Sequence, residues 1–304
     1  MDKTEAVEEM TIANRIRKIP LWQNYYIVAT DSCVPARIQP RGTGIADCDL
    51  VDKIDYKDMR ILKMAFGGTT LSSYKFNFHR HSFLSFCKNL LEGAALMTLF
   101  GIVHRDLHRG NVLVDDDAVP RIIDFGLAID TTKKQTPADL LHTSETVRLL
   151  QIPPDYTLVN SIAQGWAPYD MINHIMKNKK LLEIISTTLG VSMASMDASL
   201  REFYEKSPSA QKGDIVEWFE RYWSKLDSWA VGAQITYMLS SMMLWDSFMR
   251  GEFSTYSDKL LSVLRGMCEV NPMRRLDCVA ALAELDPGNY IIAKWGRAWL
   301  AKLG

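Results

Sequence analysis

The sequence predicts an α+β fold of two lobes, a small mixed one followed by a larger, mostly helical one. Three observations predict it. The chain has 304 residues, 47% of them hydrophobic, enough for a sizeable core. β-Branched and aromatic runs cluster in its first 66 residues, separated by a stretch rich in Gly, Pro and Asp. From His79 onward the pattern changes to long helical runs.

Taken in order, Thr4 to Lys18 carries Val7, Ile12, Ile16 and Ile19 at near-helical spacing and stops at Pro20, which predicts an amphipathic helix. "YYIVAT" (25–30) and "MRILKMAF" (59–66) predict strands. "HSFLSFCKNLLEGAALMTLFG" predicts a long helix ahead of "GIVHRDLHRGNVLVDDDAVPRIIDFGLAID" (101–130), where two short apolar runs flank tight polar loops. Val159 to Lys225 reads as a helical, charged interval. Ser228 to Trp245 holds no charged residue over eighteen positions, and its Ser, Gln and Thr content favours a buried helix over a membrane span.

Composition narrows the function classes. With 35 Lys+Arg against 36 Asp+Glu the net charge is -1, so neither nucleic acid nor a membrane surface is an expected partner, and any anion site must be local. Five cysteines without CxxC spacing argue against a disulfide framework or zinc ribbon and for a reducing compartment. The charged start "MDKTEAVEEM" is unlike a secretory signal, which predicts an intracellular, cytoplasmic or nuclear protein.

The chemistry is concentrated in 101–130. Two short strands there would aim Asp106, Asn111 and Asp124 at one cleft. Phosphoryl transfer needs such a set: a carboxylate to orient an attacking hydroxyl, and hard oxygen ligands for the metal ions that neutralise phosphate charge. Asp106 can accept the hydroxyl proton, Asn111 can offer a neutral metal oxygen and Asp124 a charged one.

HRDLHRGN and DFG resemble the catalytic loop and metal-binding motif of eukaryotic-type protein kinases, and their order and spacing, five residues from Asp106 to Asn111 and thirteen more to Asp124, make the signal strong. The resemblance implies a bilobal protein kinase-like fold with a reduced N-lobe at 1–66 and a mostly helical C-lobe at 67–304, interrupted by a helical insertion at about 159–225. It implies ATP and Mg as cofactors, a protein substrate, Asp106 as catalytic base, Asn111 and Asp124 as metal ligands, and His104 and Phe125 in the internal hydrophobic spine. "MAFGGTTL" resembles the inter-lobe hinge, with Met64 and Phe66 beside adenine. "LDSWAVG" resembles the start of the central C-lobe helix, with Asp227 as an anchor beneath the catalytic loop. "PPD" and "NPMRRLD" resemble the two segments whose acid and arginine form a buried ion pair, here Asp155 with Arg275.

Several features depart from the common pattern. His108 stands where most serine/threonine kinases have lysine, a variant similar to haspin-like kinases and to aminoglycoside and choline-type kinases. No GxGxxG loop or VAIK-like lysine precedes the first helix, so the chain is expected to begin at the helix that would follow them, either as part of a longer kinase gene or as a protein lacking those elements. In that helix Glu9 best matches the family's glutamate, with Ile12, Ala13 and Ile16 following at +3, +4 and +7; Glu8 is the alternative. Thr131, Thr132 and Thr136 beside Lys133 and Lys134 suggest phosphorylation that pairs with Arg105, against the alternative of a solvated polar loop.

The expected function is therefore transfer of the ATP γ-phosphate to Ser/Thr hydroxyls of proteins. A pseudokinase binding module and a small-molecule kinase stand as alternatives. The compressed motifs are similar to those of divergent kinases from large DNA viruses, which would place the protein in a host cell. Nothing in the sequence fixes an oligomeric state.

Overall fold

The computed structural model describes residues 1–35, 53, 55–133, 141 and 146–302. Its first helix, Lys3–Ile16, starts where Asp2 accepts the Thr4 N–H at 2.7 Å and Glu5 accepts the Asp2 N–H at 3.3 Å, a reciprocal cap that satisfies two otherwise orphaned donors. The buried face is Ala6, Glu9, Ala13 and Ile16. Val7, expected on that face, points outward, because the inward stripe at helical spacing runs through Ala6, Glu9, Ala13 and Ile16.

The strand expected at 25–30 is not formed as such. Leu21 adopts a left-handed conformation, a four-residue helix occupies Trp22–Tyr25, and strand β1 lies further on at Asp31–Cys33. Tertiary packing overrides strand propensity here: Tyr26 is buried, donates its hydroxyl to Gly93 O at 2.6 Å, and bridges to Ile122 in parallel. β1 pairs antiparallel with β2 (Ile61–Lys63), Ser32 opposite Leu62, and this ribbon is the sheet of the small lobe.

The segment after β2 leads into β3 (Thr69–Thr70), which pairs with β5 (Val112–Val114), itself paired with β6 (Pro120–Ile122). Gly68, at φ +102°, lies so close to β5 that a Cβ would collide with the Val114 carbonyl. β4 (Ile102–Val103) pairs with β7 (Ile129–Asp130), so these short ladders bracket the whole 104–128 loop region.

The rest is helical. Phe83–Leu99 packs on Cys278–Leu285 and on the long Leu226–Met242 helix. The latter buries residues on every face from Leu226 through Thr236, which accounts for its uncharged sequence. No helix among the described residues is long and apolar enough to cross a membrane. The interval between Pro154 and Tyr222 forms six helices: Pro154–Ala163, Pro168–Asn178, Leu181–Leu189, Met193–Lys206, Pro208–Lys212 and Ile215–Tyr222. A small strand-bearing part and a large helical part thus meet around 101–130, where the polar loops lie.

Candidate active site

The Leu226–Met242 helix holds the loop after β4 at two points along one face. Asp227 accepts the backbone N–H groups of His104 at 2.6 Å and Arg105 at 3.0 Å, and two turns later Gln234 donates to Leu107 O at 2.8 Å. The expected anchor is therefore present. The loop's sharp bend puts Arg105 at φ 70°. His104 is fully buried, with Nε2 at 2.9 Å from Ile123 O and Nδ1 accepting from Asp106 N at 3.3 Å, so the proton sits on Nε2. Its ring lies 4.9 Å from Phe125, which meets Tyr26 edge-on at 6.0 Å.

Beyond this anchor, Asp106 presents its carboxylate within a ring of donors. Asn111 Nδ2 donates to Asp106 O at 2.9 Å and Oδ2 at 3.4 Å, which leaves the amide oxygen of Asn111 as an acceptor for a cation. His108 Nδ1 accepts the Gly110 N–H at 2.9 Å, so its protonated Nε2 faces Asp106 Oδ2 at 3.6 Å. Gln151 Nε2 donates to Asp106 Oδ1 at 2.8 Å.

Gln151 was invisible to motif reasoning; a single polar residue in the run "LLQIPP" is its only trace. The backbone before it is held from below. Trp229 Nε1 donates to Leu150 O at 3.0 Å, and the Lys179 ammonium reaches Leu149 O at 2.8 Å and Val147 O at 3.4 Å. Lys179 is 2% exposed, and burial, outweighing the attraction of Asp155, pulls its pKa down to about 7.

Asp124 follows directly after β6 and one further residue, Ile123, whose N–H donates to Asn111 O at 3.0 Å and so ties the two motifs together. At φ 61° Asp124 turns its exposed carboxylate out of the strand direction, accepting weakly from Gly126 N at 3.4 Å. Glu9 approaches from the first helix. It is buried and accepts the Phe125 N–H, and burial, reinforced by the Asp124 charge, pushes its pKa up; Glu8 is exposed. The structure thus gathers Asp106, His108 and Asn111 in one cluster and Asp124 with Glu9 beside it. Met64 and Phe66 stand apart: their side chains are 48% and 94% exposed, and Phe66 borders a hollow formed by Tyr26, Ile27 and Arg121. The nearby glycines serve close approach to Ile27 and Val114 of the protein itself.

The oxygens of Asn111 and Asp124 are the hard donors a divalent magnesium ion takes, and the mutual repulsion of Asp124 and Glu9 is what such a cation would relieve. By donor chemistry these oxygens suit a hard cation, while among the described residues no three His, Cys, Asp or Glu side chains gather into a metal-holding group.

Two further expectations bear on the frame. The Asp155–Arg275 ion pair exists: both are essentially buried, Trp218 Nε1 also donates to Asp155 at 3.1 Å, and Arg275 donates from Nε to Glu269 O at 2.7 Å. The Thr131 hydroxyl donates to Gly101 O at 2.9 Å and that of Thr132 to Asp130 at 2.6 Å, whereas Thr136 and Lys134 lie outside the described residues.

Part of the chain is similar to known proteins. Residues 50–148 match the protein kinase domain family. The chain is 31% identical over 123 residues to cysteine-rich receptor-like protein kinase 19 of Arabidopsis thaliana, covering 40% of this chain and 16% of that protein. It is 27% identical over 142 residues to mitogen-activated protein kinase 12 of Danio rerio, covering 41% and 38%. A 27-residue stretch is 74% identical to the DNA damage-responsive serine/threonine-protein kinase RqkA of Deinococcus radiodurans, covering 9% and 4%. The chain thus spans a small part of the first of these relatives, 16% of its length. The two-lobed α+β architecture is kinase-like, and the matched residues together with the loop geometry support the protein kinase superfamily.

Proposed function

We propose that the protein is a serine/threonine protein kinase that transfers the γ-phosphate of ATP to protein hydroxyls with magnesium. The observation that carries the reading is the Asp106 carboxylate, held in place by Gln151 and Asn111 and facing the protonated nitrogen of His108. A carboxylate whose orientation is fixed in this way can accept a hydrogen bond from a substrate hydroxyl and take its proton as the new bond forms.

In this reading Mg-ATP supplies the phosphoryl group and offsets the charge that spreads over it. Asn111 and Asp124 would hold the metal through their oxygens, and His108 Nε2–H is placed to donate toward a transferring phosphate once a hydroxyl occupies Asp106. Glu9 is the acid of the first helix that orders the DFG backbone through Phe125. Met64 and Phe66 belong to the hinge, where backbone groups rather than their outward side chains would meet adenine. The interval 159–225 is an insertion into the C-lobe. Within the superfamily, DLHRGN supports placement near haspin-like kinases and the divergent kinases of large DNA viruses.

The test is Asp106→Asn. Phosphotransfer to a generic protein substrate should fall by about 10²–10⁴ with an unchanged circular dichroism spectrum; undiminished transfer would remove the reading. A binding module without catalysis is the second reading, favoured because Glu9 forms no ion pair among the described residues. Turnover of Mg-ATP by the purified chain eliminates it.

A further inference from the structure

Gln151 donates to Asp106 Oδ1 at 2.8 Å, so the carboxylate is only as steady as the segment that carries Gln151. Side-chain burial does not hold that segment: Arg148 is exposed and Leu149 is 42% exposed. Its carbonyls do. Trp229 Nε1 donates to Leu150 O at 3.0 Å, and the Lys179 ammonium donates to Leu149 O at 2.8 Å and to Val147 O at 3.4 Å. One such bond leaves the segment free to pivot; bonds to successive carbonyls fix the direction in which Gln151 leaves it.

Lys179 sits at a junction. It closes the Pro168–Asn178 helix, its N–H donating to Ile175 O at 2.9 Å, and its carbonyl accepts the Leu182 N–H at 2.9 Å as the Leu181–Leu189 helix begins. That second helix packs on Leu226–Met242, whose Asp227 and Gln234 hold the Asp106 loop. Both partners of the Gln151–Asp106 bond are thus referred to one helix, Asp106 directly and Gln151 in part through Lys179. A buried ammonium is costly, and the lowered pKa of Lys179 records that cost. Methionine would fill a similar volume without it. What the ammonium adds is its grip on the Val147 and Leu149 carbonyls.

We propose that Lys179 is a positioning residue for phosphotransfer: by holding these two carbonyls it orients Gln151, and through Gln151 the Asp106 carboxylate. A residue of the helical interval between Pro154 and Tyr222 thereby acts on the site at two removes. The proposal rests on the phosphotransfer reading, and the experiment separates the two.

Glutamine is labelled with 15N in the full chain, and Gln151→Ala assigns the Gln151 side-chain amide. In the wild type that amide should lie apart from solvated glutamine amides and exchange slowly with solvent. Lys179→Met should move it toward the solvated position and lower kcat about 10–100-fold with KM for Mg-ATP unchanged. Lys180→Met, at the exposed neighbour, should leave both readings as they are. In the Gln151→Ala background Lys179→Met should lower kcat little further, whereas a merely structural lysine would lower it by the same factor in both backgrounds. An unmoved amide in folded Lys179→Met, or equal losses in both backgrounds, overturns the proposal. Should Lys179→Met not fold, Lys179→Gln, which keeps an N–H donor without the charge, is read the same way. A wild-type amide indistinguishable from solvated glutamine overturns the proposal whatever the variants do. A wild-type chain that transfers no phosphate while the amide still responds to Lys179→Met overturns the kinase reading and keeps the coupling of Lys179 to Gln151; neither transfer nor response overturns both.

Discussion

Two buried acids on either side of the molecule meet opposite fates. Asp155, in the helical lobe, has Arg275 and the Trp218 indole as partners, and although burial pushes its carboxyl upward, the arginine acts against that push. Glu9, at the lobe junction, has a single backbone N–H and faces a second carboxylate, Asp124, so burial and charge both push it upward. The first arrangement is closed and holds elements together; the second is open and leaves negative potential where a cation can act. The difference separates framework from site more clearly than burial does, since both acids are buried.

The comparison breaks most sharply at Arg275. Arg275→Met leaves Asp155 buried without its counter-charge, and urea unfolding at pH 7 should show a loss of about 3–5 kcal/mol. Combining it with Asp155→Leu should recover most of that loss, because the uncompensated charge is gone. A smaller effect follows from Asp227→Asn. One of the two backbone donors at His104 and Arg105 loses its acceptor, for a loss of about 1–3 kcal/mol, with faster amide exchange at those two residues.

The smallest effect has the opposite sign. Glu9 has its pKa raised on folding, so its ionised form weakens the fold at every pH above that raised value, and the penalty fades as pH falls through it toward the ordinary 4.5. Glu9→Gln should therefore melt slightly higher than the wild type at pH 7 and lose this advantage on acidification, in contrast to the destabilised Arg275 variant. A lower melting temperature for Glu9→Gln at pH 7 would erase the distinction between the two acids.

Much of this was legible in the sequence because it depends on local spacing. The two-lobed α+β division, the helix after residue 225 and the Asp155–Arg275 pairing follow from motif order, and the close-packed Ala13 and Ile16 face marks Glu9 rather than Glu8 as the inward acid. Other features were hidden because no local pattern encodes them. Gln151 reaches Asp106 from 45 positions away, and Lys179 grips Leu149 from a helix end whose sequence looks like any solvated lysine. The strand expected at 25–30 failed for the same reason: Tyr26 is placed by Gly93 and Phe125, partners distant in the chain. Met64 and Phe66, expected at the hinge, are exposed, and the glycines that follow them pack against the protein itself.

The anchoring of the loop after β4 also depends on residues far along the chain. His104 meets Asp227 across 123 positions, Leu107 meets Gln234 across 127, and Asp155 meets Arg275 across 120. Closing loops of that length is slow compared with forming a helix. On the ribosome, which delivers the chain from its N-terminus, the Asp106 loop emerges long before the helix that holds it. The contacts that hold the Asp106 loop can therefore form only once the chain has been made through Gln234.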